Sequence, residues 1–551
     1  MIQRYAYLAL MRLRLSRYLH DARRAREIQH RVLLRKIRRH AASDFGRDHG
    51  LQHVASADEF RRRQPIYTYD DHHPYIDRVL HGEVTALFAP GTRVLMFAMT
   101  SGTTGQPKRL PITEELFREY CIGWRVWGAG VYGDHLDLLG KQTVQLSSDW
   151  QQFRAPSGAP CGQISGLAAM TRPWLTQRVF LLPKVVSQIH DPAAKHYAAL
   201  RFSLACEKVG MIITANPSTL VEFARRADRQ KESLIRDIHD GSLSCDLPPH
   251  VRGALARRIL RRHPDRAREL DRMASQHGAL LPRHAWPKLS VLALWTGGSV
   301  NVYLSQLPPL YGETAIRDHG LSASEGRMTI PLSDRTSAGI LDYYHHYFEF
   351  IPVEEHEQAR PTVLEGHELE TGKEYYIVLT TSGGLYRYDI HDVVRCVAFE
   401  GQAPLLEFLN KGKSFSSLTG EKLSEHQAIR AVKMSFVDLD LPIEAFTLAP
   451  TVEERPGYVL LVEHSAHHGR IDELAHRVQL NLERVNEEYG EKCDSGRLLP
   501  VQVREVADGT WNALRHNRTV ERGNLEEYKH PCLVGDLEFL DRLAQLEPCS
   551  S

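Results

Sequence analysis

Residues 99–108 read Met-Thr-Ser-Gly-Thr-Thr-Gly-Gln-Pro-Lys, and their types suit one task, the holding of phosphate. After Thr100, Gly102 and Gly105 let backbone amides approach an anion closely, Ser101, Thr103 and Thr104 offer hydroxyl donors, and Lys108 adds a positive charge. The order is not Gly-x-x-x-x-Gly-Lys-Ser/Thr, the common nucleoside-triphosphate loop. Gln106 and Pro107 separate the second glycine from Lys108, and Arg109 follows the lysine.

Two carboxylates extend this chemistry. In Gly320-Leu321-Ser322-Ala323-Ser324-Glu325-Gly326, hydroxyls sit beside Glu325, an oxygen ligand of the kind that Mg²⁺ takes along with substrate phosphates. Asp392 emerges from Tyr375–Val394, where two alternating runs flank Ser382-Gly383-Gly384, and a carboxylate there can accept both ribose hydroxyls of a nucleotide. Tyr311-Gly312-Glu313-Thr314 imitates an adenylation motif but is read as a decoy, because Ala315 and not an acid follows its threonine. On residues alone, Lys529 in Glu526-Glu527-Tyr528-Lys529-His530-Pro531 passes for a surface charge.

These residues need elements to position them. The apolar run Val94 to Met99 predicts a strand leading into the glycine-rich loop. Thr113, followed by Glu114 and Glu115, predicts a capped helix through Phe117, Tyr120 and Trp124. Strand, loop and helix in that order predict an α/β protein. Residues 215–280 read as mostly helical, Lys288 to Trp295 as a strand ending in the turn Thr296-Gly297-Gly298, and Tyr347 to Pro352 as an aromatic strand. A strand from Leu405 to Leu409 ends in Asn410-Lys411-Gly412-Lys413, a glycine among charged residues that suits a hinge. The Trp-, Tyr- and Gly-rich segment Phe117–Met170 is a candidate apolar pocket wall.

A chain of 551 residues exceeds one hydrophobic core, so two or more domains are expected. With 42% hydrophobic and 25% charged residues it reads as globular, and a net charge of +1 argues against nucleic acid as a partner. The eight cysteines contain no Cys-x-x-Cys pair, no apolar stretch reaches the length of a membrane span, and no secretory signal opens the chain, so a cytoplasmic protein is expected. Among 29 histidines there is no His-Glu-x-x-His, and His72-His73, His345-His346 and His467-His468 are read as surface or packing residues. The first forty residues hold twelve Arg or Lys against Asp21 and Glu27. They predict a basic amphipathic helix, more often a solvated face of its own domain than a contact with an acidic surface.

The run Thr100 to Lys108 resembles the phosphate loop of adenylate-forming enzymes. With Ser322 to Glu325, Tyr347 to Pro352, Gly384-Leu385-Tyr386-Arg387-Tyr388 with Asp392, Phe408 to Lys413, and Tyr528-Lys529-x-Pro531, the chain resembles the Gretchen-Hagen-type auxin-responsive acyl-acid amido synthetases over nearly its whole length. That resemblance implies an α/β fold: a large N-terminal adenylating domain, 1–410, with mixed sheets and flanking helices, and a smaller mobile α+β C-terminal domain, 411–551. It implies ATP and Mg²⁺ as cofactors, and a carboxylic acid and an amine, usually an amino acid, as substrates. Lys529 would meet the α-phosphate, Glu325 the metal, Asp392 the ribose, and Thr100–Gly105, Lys108, Ser322, Ala323, Ser324 and Arg387 the nucleotide. Leu321 stands where the family usually has an aromatic residue, leaving Tyr347 as the expected adenine-stacking ring, and His391 replaces the usual glycine before Asp392. No residue identifies itself as the base for amide formation. The rival readings are an AMP-forming acyl-coenzyme A ligase and a non-catalytic nucleotide-binding or interaction protein.

Overall fold

The computed structural model describes residues 2–100, 108–256, 260–297, 303–412, 415–416, 418–419, 421, 423–452, 456–464, 469–494, 498–522 and 528–546. Four parallel strands, ordered Gln142–Gln145, Val209–Ile213, Val291–Leu294 and Ala315–Asp318, form one sheet among the described residues. Alternate side chains face opposite layers. Ile212, Leu292 and Leu294 pack with Leu200, Leu220, Phe223, Leu234 and Leu270 of the helical segment 192–277. Met211, Ile213, Val291 and Ala293 instead meet Val126, Trp127 and Val131 of the helix Glu114–Asp134, together with Tyr18, Ile28 and Val32. Coverage on both faces explains why the two central strands, Val209–Ile213 and Val291–Leu294, are uninterrupted apolar runs.

Beside it lies a seven-stranded antiparallel sheet. Its order is Leu364–Glu365, Tyr347–Pro352, Glu374–Thr380, Tyr388–Glu400, Ala403–Lys411, Gly339–Leu341 and Thr329–Ile330. The N-terminal basic segment forms two helices, Ile2–Asp21 and Ala25–His40. The second packs on its own domain: Leu33 and Ile37 are buried, and Gln29 donates to the carbonyl of Tyr343 at 2.7 Å while accepting from the Phe348 amide at 2.9 Å. Even Lys36 is buried there, bonded to Glu119 at 2.8 Å.

Past residue 412 a separate three-stranded sheet, Phe446–Val452, Pro456–Glu463 and Gln502–Val506, carries its own two cores. Leu448, Leu460 and Val462 pack on Val432, Phe436, Val478 and Leu482, and the alternate positions Ala449, Val459 and Leu461 pack on Trp511, Leu514 and Phe539. No helix among the described residues is long and apolar enough to cross a membrane. No disulfide joins the seven cysteines among them.

One local expectation changes. The strand Val94–Thr100 does not run through its loop into a helix but into a second strand, Lys108–Thr113, paired antiparallel with it so that Thr100 faces Lys108. The strands on either side of the glycine-rich segment are therefore paired with each other. The helix Glu114–Asp134, capped by Thr113 as expected (Leu116 N to Thr113 Oγ1, 3.1 Å), starts a full strand after Lys108.

Candidate functional site

The carboxyl ends of the parallel strands open onto a common edge, where ligands bind in open α/β sheets. The strand Ala315–Asp318 ends in the turn that carries Glu325, and Val291–Leu294 ends in the turn through Trp295, Thr296 and Gly297. Asp318 joins both turns. Its carboxylate accepts from the Thr296 amide at 2.6 Å, from the Thr296 hydroxyl and from the Gly320 amide at 2.5 Å. Burial pushes its pKa up to about 6, against these hydrogen bonds. Sequence reasoning passed over Asp318. Only its position two residues before Gly320, at a strand end, marked it.

Glu325 is buried, and burial pushes its carboxyl above the usual range while Lys411 and Lys108 pull it back and Asp392 adds to the rise. Asp392 is buried too and pairs with the Lys411 ammonium, its cross-strand partner in register. Burial alone would lower Lys411, but Asp392, Glu325 and Asp389 outweigh it and leave its pKa raised. Lys108, at the foot of the glycine-rich loop, donates to the Tyr388 hydroxyl at 3.1 Å and lies 4.9 Å from the Tyr69 ring centroid. Two carboxylates and two ammonium groups from four separate chain segments thus interact at one edge. Ser322 is exposed and Ala323 and Ser324 are half-buried on the same turn, which closes through the Ala323 amide on the Gly326 carbonyl at 3.0 Å.

Lys529 belongs to the second lobe but reaches the first. Its Nζ stands 3.5 Å from the Trp295 ring centroid and 5.9 Å from that of Phe408, a cation–π contact on the turn that Asp318 holds. The flanking segment is pinned: the Asn216 amide donates to the Tyr528 carbonyl, and His530 Nε2 bonds the Phe446 carbonyl at 2.9 Å. At Gly412, in the segment expected to hinge, the packing is tight. Gly412 donates to the His391 carbonyl at 2.6 Å, and a Cβ on it would fall 2.0 Å from the Tyr376 ring, so glycine is required there by close approach.

Ser101, Gly102, Thr103, Thr104, Gly105 and Lys413 lie outside the described residues, as do His467 and His468; Thr100 is placed by its backbone alone. Two nucleotide assignments need correction. Tyr347 is 1% exposed, packed edge-on to Phe60 with its hydroxyl donating to Glu365 at 3.2 Å, so it is a core residue with no face to offer adenine. Leu321 is buried in the same core. Arg387 is also internal. Its Nε and one terminal nitrogen donate to both oxygens of Glu349 at 2.9 Å, and the other donates to the carbonyls of Gln64 at 2.5 Å and Arg61 at 3.1 Å. Each of its three nitrogens is engaged by the protein.

Tyr311 is buried with its hydroxyl on the Leu220 carbonyl at 2.8 Å, at the amino end of the strand Ala315–Asp318, the wrong end for the site. His72 is a packing residue, held by the Thr68 carbonyl and the Tyr386 amide, with burial pushing its pKa to about 4.

Three consecutive family models match the chain: GH3 family N-terminal domain over residues 14–316, central domain over 339–411 and C-terminal domain over 426–538. The chain belongs to the GH3 family. Among its GH3 relatives, a jasmonoyl–L-amino acid synthetase of Nicotiana attenuata is 24% identical, over 93% of this chain and 91% of the relative. An indole-3-acetic acid-amido synthetase of Arabidopsis thaliana is 23% identical, over 93% and 89%. The solved GH3.15 acyl acid amido synthetase superposes with a TM-score of 0.85 at 20% identity, covering 98% of this chain and 96% of that one, so the GH3 fold extends from end to end.

Proposed function

We propose that this protein is an ATP-dependent acyl-acid amido synthetase. It joins a carboxylic acid to AMP with release of pyrophosphate, then transfers the acyl group to an amino acid with release of AMP. The observation that carries this reading is the meeting of Glu325, Asp392, Lys411 and Lys108 at the carboxyl edge of the parallel sheet, with Lys529 of the second lobe held against Trp295 of the first.

A carboxylate is a poor acyl donor, and its attack on the α-phosphorus brings two anions together. The site must therefore neutralise charge without reacting, by position and electrostatics. Lys529 stabilises the α-phosphate and the attacking oxygen. Thr100 to Gly105 and Lys108 bind the other phosphates, Ser322 to Ser324 border the nucleotide, and Asp392, oriented by Lys411, accepts the ribose hydroxyls. Glu325 fits Mg²⁺, being a hard oxygen donor whose buried charge a cation would satisfy, and the ion would supply charge neutralisation on the phosphates. The acyl group lies along Phe117, Cys121 and Trp124, half-buried at i, i+4 and i+7 on one helix face. The lid, 411–551, turns about residues 410–413 between the two half-reactions.

The test is carboxylate-dependent exchange of pyrophosphate into ATP across a panel of acids, then product mass with amino acids or coenzyme A as acceptor. Exchange followed by an amide is expected. A thioester product would assign an acyl-coenzyme A ligase, and no exchange with any acid would leave a nucleotide-binding protein.

A further inference from the structure

We propose a divalent transition-metal site, of the zinc class, formed by His356, Asp389 and His391 beside the interlobe hinge. It is separate from the Glu325 position and independent of the reaction proposed above.

The three side chains come from two stretches that sequence spacing does not connect. His356 ends the short turn Val353–Glu355, while Asp389 and His391 lie two apart at the start of the strand Tyr388–Glu400. Their ligand atoms lie within 4.8 Å of one another. Asp389 Oδ1 accepts from the His391 amide at 2.7 Å, which turns Oδ2 toward both imidazoles: His356 Nε2 hydrogen-bonds it at 2.6 Å, a bond an entering ion would replace, and His391 Nδ1 lies 3.1 Å away. Two imidazoles and one carboxylate oxygen form a donor set that suits zinc and its first-row neighbours.

Two features indicate that the cluster is built. The His356 ring stacks on Tyr376 with centroids 3.6 Å apart and planes at 18°, which fixes the direction of its Nε2. His391 holds a backbone φ of +58°, a left-handed conformation that glycine adopts freely and that costs a side-chain-bearing residue about 1–2 kcal/mol. The chain thus carries a strained histidine where an unstrained glycine would fit, and the imidazole so placed faces Asp389. The carboxylate is 5% exposed and the imidazoles 18% and 21%, so the cluster lies near the surface. Occupancy would clamp the Val353–Glu355 turn to the strand that carries Asp392. Through the His391 carbonyl it would also brace Gly412, where the chain leaves for the second lobe.

The test uses the full chain, stripped with chelator and titrated with Co²⁺ as a visible probe, then with Zn²⁺ in competition. One equivalent of Co²⁺ should give an imidazole-ligand d–d band that Zn²⁺ abolishes. Since loss of even an outer-sphere partner costs ~10–100-fold in affinity, His356→Gln, Asp389→Asn and His391→Gly should each weaken binding at least about tenfold. His391→Gly relieves strain and should melt no lower than wild type. Another close histidine pair, His277 and His284, with ring centroids 4.1 Å apart, supplies the control: His284→Gln should leave the band unchanged. A wild-type chain without the band, a band that persists in Asp389→Asn and His391→Gly, or one that His284→Gln removes overturns the site.

Discussion

The chain buries charge at two places along one stretch of backbone, and the two are built to different rules. Around Arg387 the account is closed: four hydrogen bonds from the guanidinium meet Glu349 and two carbonyls, and the group lies inside the core with Tyr347 and Glu365 nearby. Around Asp392, five residues on, the carboxylate pairs directly with Lys411, while Glu325 and Lys108 come from separate segments at the mouth of a sheet and act on that pair over longer range. A closed cluster fixes a fold. An open one keeps charge available for a ligand that brings phosphates of its own. Sequence motifs do not separate the two, since Arg387 and Asp392 occupy one motif, and only the partners reveal which kind each is.

This contrast can be broken experimentally. The largest effect is expected from Arg387→Ala, which leaves Glu349 buried without its cation and should cost about 3–5 kcal/mol of stability in denaturant unfolding, with activity lost only as the fold is lost. Lys529→Ala should do the opposite. A loss of ~10²–10³ in the rate of pyrophosphate exchange, roughly 2.7–4 kcal/mol, should come with an unchanged Tm. If Arg387→Ala instead stays folded and raises the KM for ATP, the two clusters have been assigned the wrong way round.

Glu425 gives a pH-dependent version of the same comparison. It sits in the first turn of the helix Glu425–Asp438, where burial pushes its pKa to about 7 despite hydrogen bonds from the Cys532 and Leu533 amides and the nearby Lys529 charge. Between its usual 4.5 and about 7 the folded state binds more protons than the unfolded one, so stability falls as pH rises through that window. The cost is absent below pH 4.5 and complete above 7, on the order of 3 kcal/mol. Glu425→Gln should flatten this part of a Tm-against-pH curve; an unchanged slope would remove Glu425 as its source. The smallest effect is expected from Tyr347→Phe. Losing the hydroxyl on Glu365 should cost about 1 kcal/mol in stability and leave the KM for ATP unaltered, whereas a rise in that KM would restore Tyr347 to the nucleotide site.

Much of this molecule was legible in one dimension, because apolar runs, caps and turn residues act over a few neighbours. Val94 to Met99, the Thr113 cap, Tyr347 to Pro352 and the hairpin on either side of Ser382-Gly383-Gly384 all form where local pattern places them. The order of motifs along the chain likewise sufficed to indicate the family that its full-length matches establish. Tertiary structure alone decided which side chains share a space. It enclosed Tyr347 and Arg387 and inserted a strand between the glycine-rich loop and its helix. It also paired Asp392 with Lys411, set Lys529 on Trp295 and brought His356 to Asp389 and His391. Burial and charge pairing join segments that lie from tens to hundreds of residues apart, and they exist only once the sheets have packed.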